Sequence, residues 1–139
     1  MIILDTNVLS ELMRAEPEPR VIRWVEAQPQ VGLFTTAITE AEVLYGVEIA
    51  PEGKRRDNLR EAAHKLFSRV MAGRVLSFDS AAAEAFSQIA ARRRKMGRPI
   101  SHPDAQISAI AKREEAILAT RDEDDFAGCG IRLINPWKE

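Results

Sequence analysis

Ile2-Ile3-Leu4-Asp5-Thr6-Asn7 is the stretch whose reading decides the fold. Three consecutive apolar residues, with no polar alternation, suit a short central strand covered on both faces. The run breaks at once into a polar triplet that can cap a helix, so the chain opens as strand then helix. Working outward, Val8 to Met13 predicts that first helix, and Pro17 and Pro19 end it before a second carrying Val21, Trp24 and Val25. Val31 to Thr36 predicts the next strand, entered through Gln28-Pro29-Gln30. Thr36 or Thr39 then opens a helix through Glu48. Leu59, Ala62, Ala63, Leu66, Phe67, Val70 and Met71 step by three and four, which is one apolar face of a helix running from about Arg56 to Met71 and stopped by Gly73. Val75 to Phe78 predicts a third strand, and Ser80 caps a helix reaching Lys95 with Ala82, Phe86, Ile89 and Ala90 as its buried stripe. Pro103 suits the first turn of another helix, with Ile107, Ile110 and Ala111 inward. Ala116 to Thr120 and Arg132 to Ile134 complete five strands. Strands alternating with helices imply parallel βαβ units, hence an α/β fold with an open, mostly parallel sheet and helices on both faces. In such sheets the site lies at the carboxyl ends of the strands.

A chain of 139 residues is long enough to bury a core without disulfides or structural metals, and residues 1–139 are expected to form a single domain. An apolar fraction of 45% with 29% charged residues excludes an intrinsically disordered chain. The lone cysteine, Cys129, excludes an intramolecular disulfide and a cysteine-rich zinc site, and fits a reducing compartment. Only four residues precede Asp5 and no apolar run reaches membrane length, so a cytoplasmic protein with no membrane association is expected. A net charge of −1 does not mark a strongly basic nucleic-acid binder. The cations are nevertheless clustered, as Lys54-Arg55-Arg56 and as Arg92-Arg93-Arg94-Lys95 with Arg98 close behind.

Asp5 follows the first strand, Asp104 lies in the first turn of a helix, and Asp122 comes two residues after the strand ending at Thr120. Glu42 sits in a helix that begins just after the second strand. All four therefore fall at the sheet edge where an α/β site is built. Carboxylates gathered in one cleft repel one another unless a cation favours their charged forms. Oxygen-only ligation, without a cysteine cluster or paired histidines, favours Mg²⁺ or Mn²⁺ over Zn²⁺. A divalent ion held this way suits phosphodiester hydrolysis by in-line displacement.

At these residues the chain resembles the PIN-domain nucleases, and within them the toxins of bacterial toxin–antitoxin pairs of the VapC/FitB type. The resemblance rests on Ile3-Leu4-Asp5-Thr6-Asn7-Val8, on Thr39 with Glu42-Val43-Leu44-Tyr45-Gly46, on Pro99-Ile100-Ser101 leading to Asp104-Ala105-Gln106-Ile107, on Ala119-Thr120-Arg121-Asp122 leading to Asp125-Phe126, and on the ending Ile134-Asn135-Pro136-Trp137. It implies a PIN-like domain, a metal bound through Asp5, Glu42, Asp104 and Asp122, cleavage of RNA, a homodimer, and a small antitoxin with a DNA-binding domain. Many members carry asparagine where this sequence has Asp122, which leaves Asp125 as the acidic residue of that loop; both are carried forward as candidates for the metal. Thr6, Asn7 and Thr120 are expected to orient carboxylates or waters by hydrogen bonds.

Each residue also has a plainer reading. Asp5 can simply cap the helix after it, Thr39 and Glu42 have capping-box spacing, and Asp104 is favoured at a helix N-terminus by the macrodipole. Asp122 to Asp125 reads as a solvated loop, and Arg92 to Lys95 as cations in a helix's last turn, set against their reading as a phosphate-tracking patch for RNA. His64 reads as a partly exposed side chain, and Gly128-Cys129-Gly130 as a turn. Ser101, His102 and Asp104 are too close in sequence to serve as a triad. Two rival functions are a PIN-like binding module without catalysis and an aspartyl-phosphate phosphotransferase. The latter resembles enzymes with a second Asp two residues after the first, where this chain has Asn7.

Overall fold

The computed structural model describes all residues, Met1 to Glu139. Five parallel strands form one sheet in the order β3-β2-β1-β4-β5, with β1 at Ile2–Leu4, β2 at Leu33–Thr36, β3 at Val75–Leu76, β4 at Ile117–Ala119 and β5 at Arg132–Ile134. From β1 the chain winds outward through β2 to β3, then returns to the other side of β1 for β4 and β5. The winding direction therefore reverses between β1 and β4, and a crevice opens there at the strands' carboxyl ends. Ile2, Ile3 and Leu4 pair with Ile117, Leu118 and Ala119, and the amide of Asp5 extends the ladder by donating to the Ala119 carbonyl (3.0 Å).

Successive strand residues face opposite ways, and the two faces have separate cores. Ile3 and Leu118 pack under α5 (Ser80–Lys95) and α6 (His102–Glu114), against Ile89, Ile107 and Ile110. Leu4 and Ala119 face α1 (Thr6–Leu12), α2 (Pro19–Glu26), α3 (Ala37–Ile49) and α4 (Lys54–Lys65), among Val8, Leu9, Trp24, Val43 and Phe67. This two-sided burial is why Ile2-Ile3-Leu4 shows no alternation. The rest of the predicted long helix, Leu66–Val70, is one wider π turn that continues α4.

Four local expectations are corrected. Val31 is 83% exposed in a 3-10 turn, Gln30–Gly32, so the second strand starts only at Leu33. Asp79, not Ser80, caps α5, accepting from the Ala82 amide at 3.0 Å. The third strand stops at Leu76, and Arg113 takes up the Ser77 carbonyl (2.7 Å) together with the Asp79 carboxylate (2.8 Å). Asp122 to Asp125 is not a plain solvated loop: Glu123–Phe126 forms a short helix, α7, because Phe126 is buried in the core beneath it. No helix is long and apolar enough to cross a membrane.

Candidate metal and catalytic site

Asp5 stands where β1 gives way to α1, beside β4, and is only 4% exposed. It is indeed a cap, since Oδ1 accepts from the Thr6 amide at 2.8 Å. Its other oxygen accepts from the Thr120 hydroxyl at 2.7 Å, so one carboxylate bridges the ends of β1 and β4. Burial nevertheless raises its pKa from the ordinary 3.8 to about 6; the two hydrogen bonds oppose this, and the charges of Asp104 and Glu42 add to it.

Glu42 lies in the second turn of α3. The helix is capped by Thr36, whose hydroxyl accepts from the Thr39 amide (3.0 Å), so the Thr39–Glu42 capping-box reading does not hold. Glu42 Oε1 instead accepts from the Thr6 hydroxyl at 2.8 Å, and that hydroxyl lies 3.1 Å from Thr39 Oγ1. Asp104 sits in the first turn of α6, but the cap is Ser101, whose hydroxyl accepts from the Asp104 amide (3.3 Å). The Asp104 carboxylate is not the cap and is half-buried; burial raises its pKa, a hydrogen bond with the Ser101 side chain opposes this, and the charges of Asp125, Glu42 and Asp122 add to the rise.

Asp122 is exposed at the start of α7, where its side chain caps nothing. Oδ2 accepts from Asn7 Nδ2 at 3.0 Å, and its amide donates to Thr120 Oγ1 at 3.0 Å. Asn7 also donates to Thr120 Oγ1 (3.3 Å) and accepts from the Arg121 amide (3.3 Å). Thr6, Asn7 and Thr120 thus tie Asp5, Glu42 and Asp122 into one network. Asp125, though exposed, also bears on the cluster through its charge, which helps raise the pKa of Asp104 as that of Asp122 does.

The charges that act most strongly on Asp5 and Asp104 are those of other carboxylates. No three of these carboxylates converge tightly enough to form a closed cage for an ion. The donor set is still one that a hard divalent cation fits: oxygen only and mutually repelling.

The basic run at the end of α5 divides. Arg92, Arg94 and Lys95 are exposed, whereas Arg93 is 4% exposed. Its guanidinium donates to the carbonyls of Arg98 and Asp125, both at 2.7 Å, and contacts Cys129 Sγ at 3.5 Å. Arg93 is therefore corrected from an RNA contact to an internal tie holding α7, a role that Arg98 shares through the Asp124 carbonyl (3.2 Å). Nothing in the repeated arginines distinguished the buried one; the apolar step from Ile89 to the fourth residue beyond it was the available signal. His64 is exposed, and His102 meets Phe86 edge to face at 5.6 Å.

The family described as PIN domain matches residues 2–129. The chain belongs to the PIN-domain family. This PIN domain is 42% identical to "Plasmid stability protein StbB" of Pseudomonas syringae pv. tomato and 39% identical to "VapC ribonuclease Y4jK" of Sinorhizobium fredii, over 99% of both chains in each case. It is 35% identical to "Toxin FitB" of Neisseria gonorrhoeae over the whole of both chains. Its fold superposes on the solved structure of FitAB bound to an IR36 DNA fragment with a TM-score of 0.91 and 36% identity, covering 99% of this chain and 96% of the other.

Proposed function

We propose that residues 1–139 act as a single Mg²⁺-dependent endoribonuclease domain, the toxin of a toxin–antitoxin pair working in the cytoplasm, with Mn²⁺ able to substitute. The observation that carries this reading is Asp5: a carboxylate buried at the strand-order switch, its pKa raised to about 6 by burial, with the charges of Asp104 and Glu42 adding to the shift. Asp5, Glu42, Asp104 and Asp122 would hold the ion, with Asp125 beside them. A bound divalent ion supplies the positive charge that in-line phosphodiester displacement needs and favours ionisation of water. The chain's own contribution is placement: Thr120 and the Thr6 amide fix Asp5, Thr6 fixes Glu42, and Asn7 fixes Asp122. The ribonuclease and toxin names of full-length relatives support the substrate class, and the FitAB assembly on DNA supports a DNA-binding antitoxin partner. A homodimer completes the proposed assembly.

The test is RNA cleavage by purified protein. Activity is expected only with Mg²⁺ or Mn²⁺, and Asp104→Asn is expected to lower it by about a thousandfold or more while the circular dichroism spectrum stays unchanged. Cleavage that persists in excess chelator, or in a folded Asp104→Asn variant, rejects the mechanism.

A further inference from the structure

A cleft of about 940 Å³ begins at the carboxylate site, where Thr6 and Glu42 line it, and runs along α3 past Gly46 to Lys54 and Arg55 at the start of α4. Arg14 and Glu16 stand on the wall formed after α1. From Glu42 to the end of α3 at Ile49 is about 10 Å along the helix axis, so the basic end lies within a short reach of the acidic one.

Lys54 and Arg55 are not occupied by the fold. The acids near α4 are taken by other cations: Glu52 by Arg56, Glu48 and Asp57 by Arg60. Arg14 faces Glu11 at 3.3 Å but stays largely exposed. Lys54 and Arg55 are exposed, with no ion pair and no side-chain hydrogen bond. Helix stability does not explain them, because cations in a first turn oppose the helix macrodipole.

Gly46 gives an independent indication. It lies inside α3, where glycine is disfavoured, yet its φ is not positive, and a Cβ there would meet nothing within 4 Å. Neither backbone conformation nor tight packing requires glycine. What the missing side chain leaves is open depth on the cleft floor, between the carboxylates and the two free cations.

We propose that this cleft is the path of the RNA strand on one side of the scissile phosphate, with Lys54 and Arg55 holding backbone phosphates and Gly46 keeping the floor clear. The proposal rests on the ribonuclease reading above. A chain of carboxylates alone repels RNA, so the two unpaired cations beyond the end of α3 supply the attraction that the site lacks. Glu16 opposes it, and the net balance of the cleft's far end remains basic.

Binding of a short fluorescein-labelled RNA of mixed sequence is followed by anisotropy in the Asp104→Asn background, with Mg²⁺ held constant and KCl varied. Lys54→Ala with Arg55→Ala is expected to weaken binding about tenfold and to flatten the log–log salt slope by about 1.4, that is, about 0.7 for each lost single-strand contact. In the active chain the same pair should raise KM and leave kcat nearly unchanged. Gly46→Leu should raise Tm, because leucine is the better helix former, and still weaken RNA binding; that opposition separates a filled cleft from a damaged fold. Arg132→Ala, an exposed charge loss on β5 outside the cleft, should change neither. Unchanged slope, KM and affinity in both cleft variants overturn the proposal and leave the cleft to a protein segment. Absence of cleavage by the wild type with every divalent ion rejects the ribonuclease reading instead, while the binding measurement still decides the cleft.

Discussion

The acidic edge of the sheet and the basic end of α5 each bury one formal charge, Asp5 and Arg93, both 4% exposed, but the surroundings of the two are opposite. Arg93 gives its N–H groups to two backbone carbonyls and so ties α5 to α7. Asp5 has two donors of its own, yet the nearby charges are further carboxylates that raise its energy. A buried charge satisfied by backbone dipoles belongs to the architecture. One left in an unfavourable field is the kind that a group from outside the chain would complete, and a cation is what this field would attract.

The comparison breaks first at Arg93. Arg93→Met is expected to cost about 4 kcal/mol, since two buried carbonyls lose charge-assisted donors and no acidic partner is relieved in exchange. Urea denaturation reads this directly, and Arg93→Lys should recover only part of it, because an ammonium cannot span the two carbonyls as the planar guanidinium does. An Arg93→Met variant as stable as wild type, with weakened RNA binding, would mean that Arg93 is not the architectural charge.

Asp5 should behave in the opposite sense when metal is absent. Its folded pKa of about 6 exceeds the ordinary 3.8, so the folded state binds more protons than the unfolded state between those values. The stabilisation is fully present below 3.8 and is lost as pH rises through about 6. At about 1.4 kcal/mol per pKa unit it amounts to about 3 kcal/mol for this buried group. Asp104, also raised, contributes with the same sign. The lowered Asp79 and Glu123 contribute with the opposite sign, stabilising at neutral pH and losing that effect on acidification, but both are exposed enough for solvent to screen them. Chelated wild type should therefore gain more stability between about pH 8 and pH 5 than Asp104→Asn, which should melt at or above wild type at neutral pH. Saturating Mg²⁺ should reverse that order, because it binds the folded site alone. A chelated Asp104→Asn clearly less stable than wild type, with an equal response to Mg²⁺, would reduce Asp104 to a helix residue.

The parts of the molecule that could be read in advance are those whose physics is local. Ile2-Ile3-Leu4 carries its two-sided burial as an unbroken apolar run, and Leu59 to Phe67 carries its helix face as spacing, whereas Val70, on the same spacing, is 48% exposed because the chain widens into a π turn. The carboxylates could be placed on one edge because each follows a strand or opens a helix. What sequence could not supply was which polar atom wins a shared partner. Thr36 rather than Thr39 takes the cap of α3, which leaves the Thr39 hydroxyl to meet that of Thr6, the donor to Glu42. Ser101 caps α6 and releases Asp104. Arg93 is one of three consecutive arginines, and only the packing of α7 over the end of α5 makes it the internal one.

The smallest expected effect concerns the arginines that flank it. Arg92 and Arg94 are exposed, and the tie from Arg93 to the Asp125 carbonyl holds this turn of α5 beside the acidic loop. That position lets them touch phosphates at the rim of the site, and it also places them in a last helical turn, where the macrodipole favours cations by about 0.3–1 kcal/mol. The two roles separate by observable. A dipole role appears in stability and leaves RNA binding alone; a phosphate role appears in the salt dependence of binding. Arg92→Ala with Arg94→Ala should flatten the log–log slope by at most about 1.4. The loss of affinity should fall short of that from the Lys54 and Arg55 pair, because rim cations remain more fully hydrated than cations lining a cleft. Stability should fall slightly, in contrast to the large loss from Arg93→Met between them. A slope identical to wild type, with only that small loss of stability, would make the whole α5 terminus architectural and leave the RNA-facing charge to the cleft.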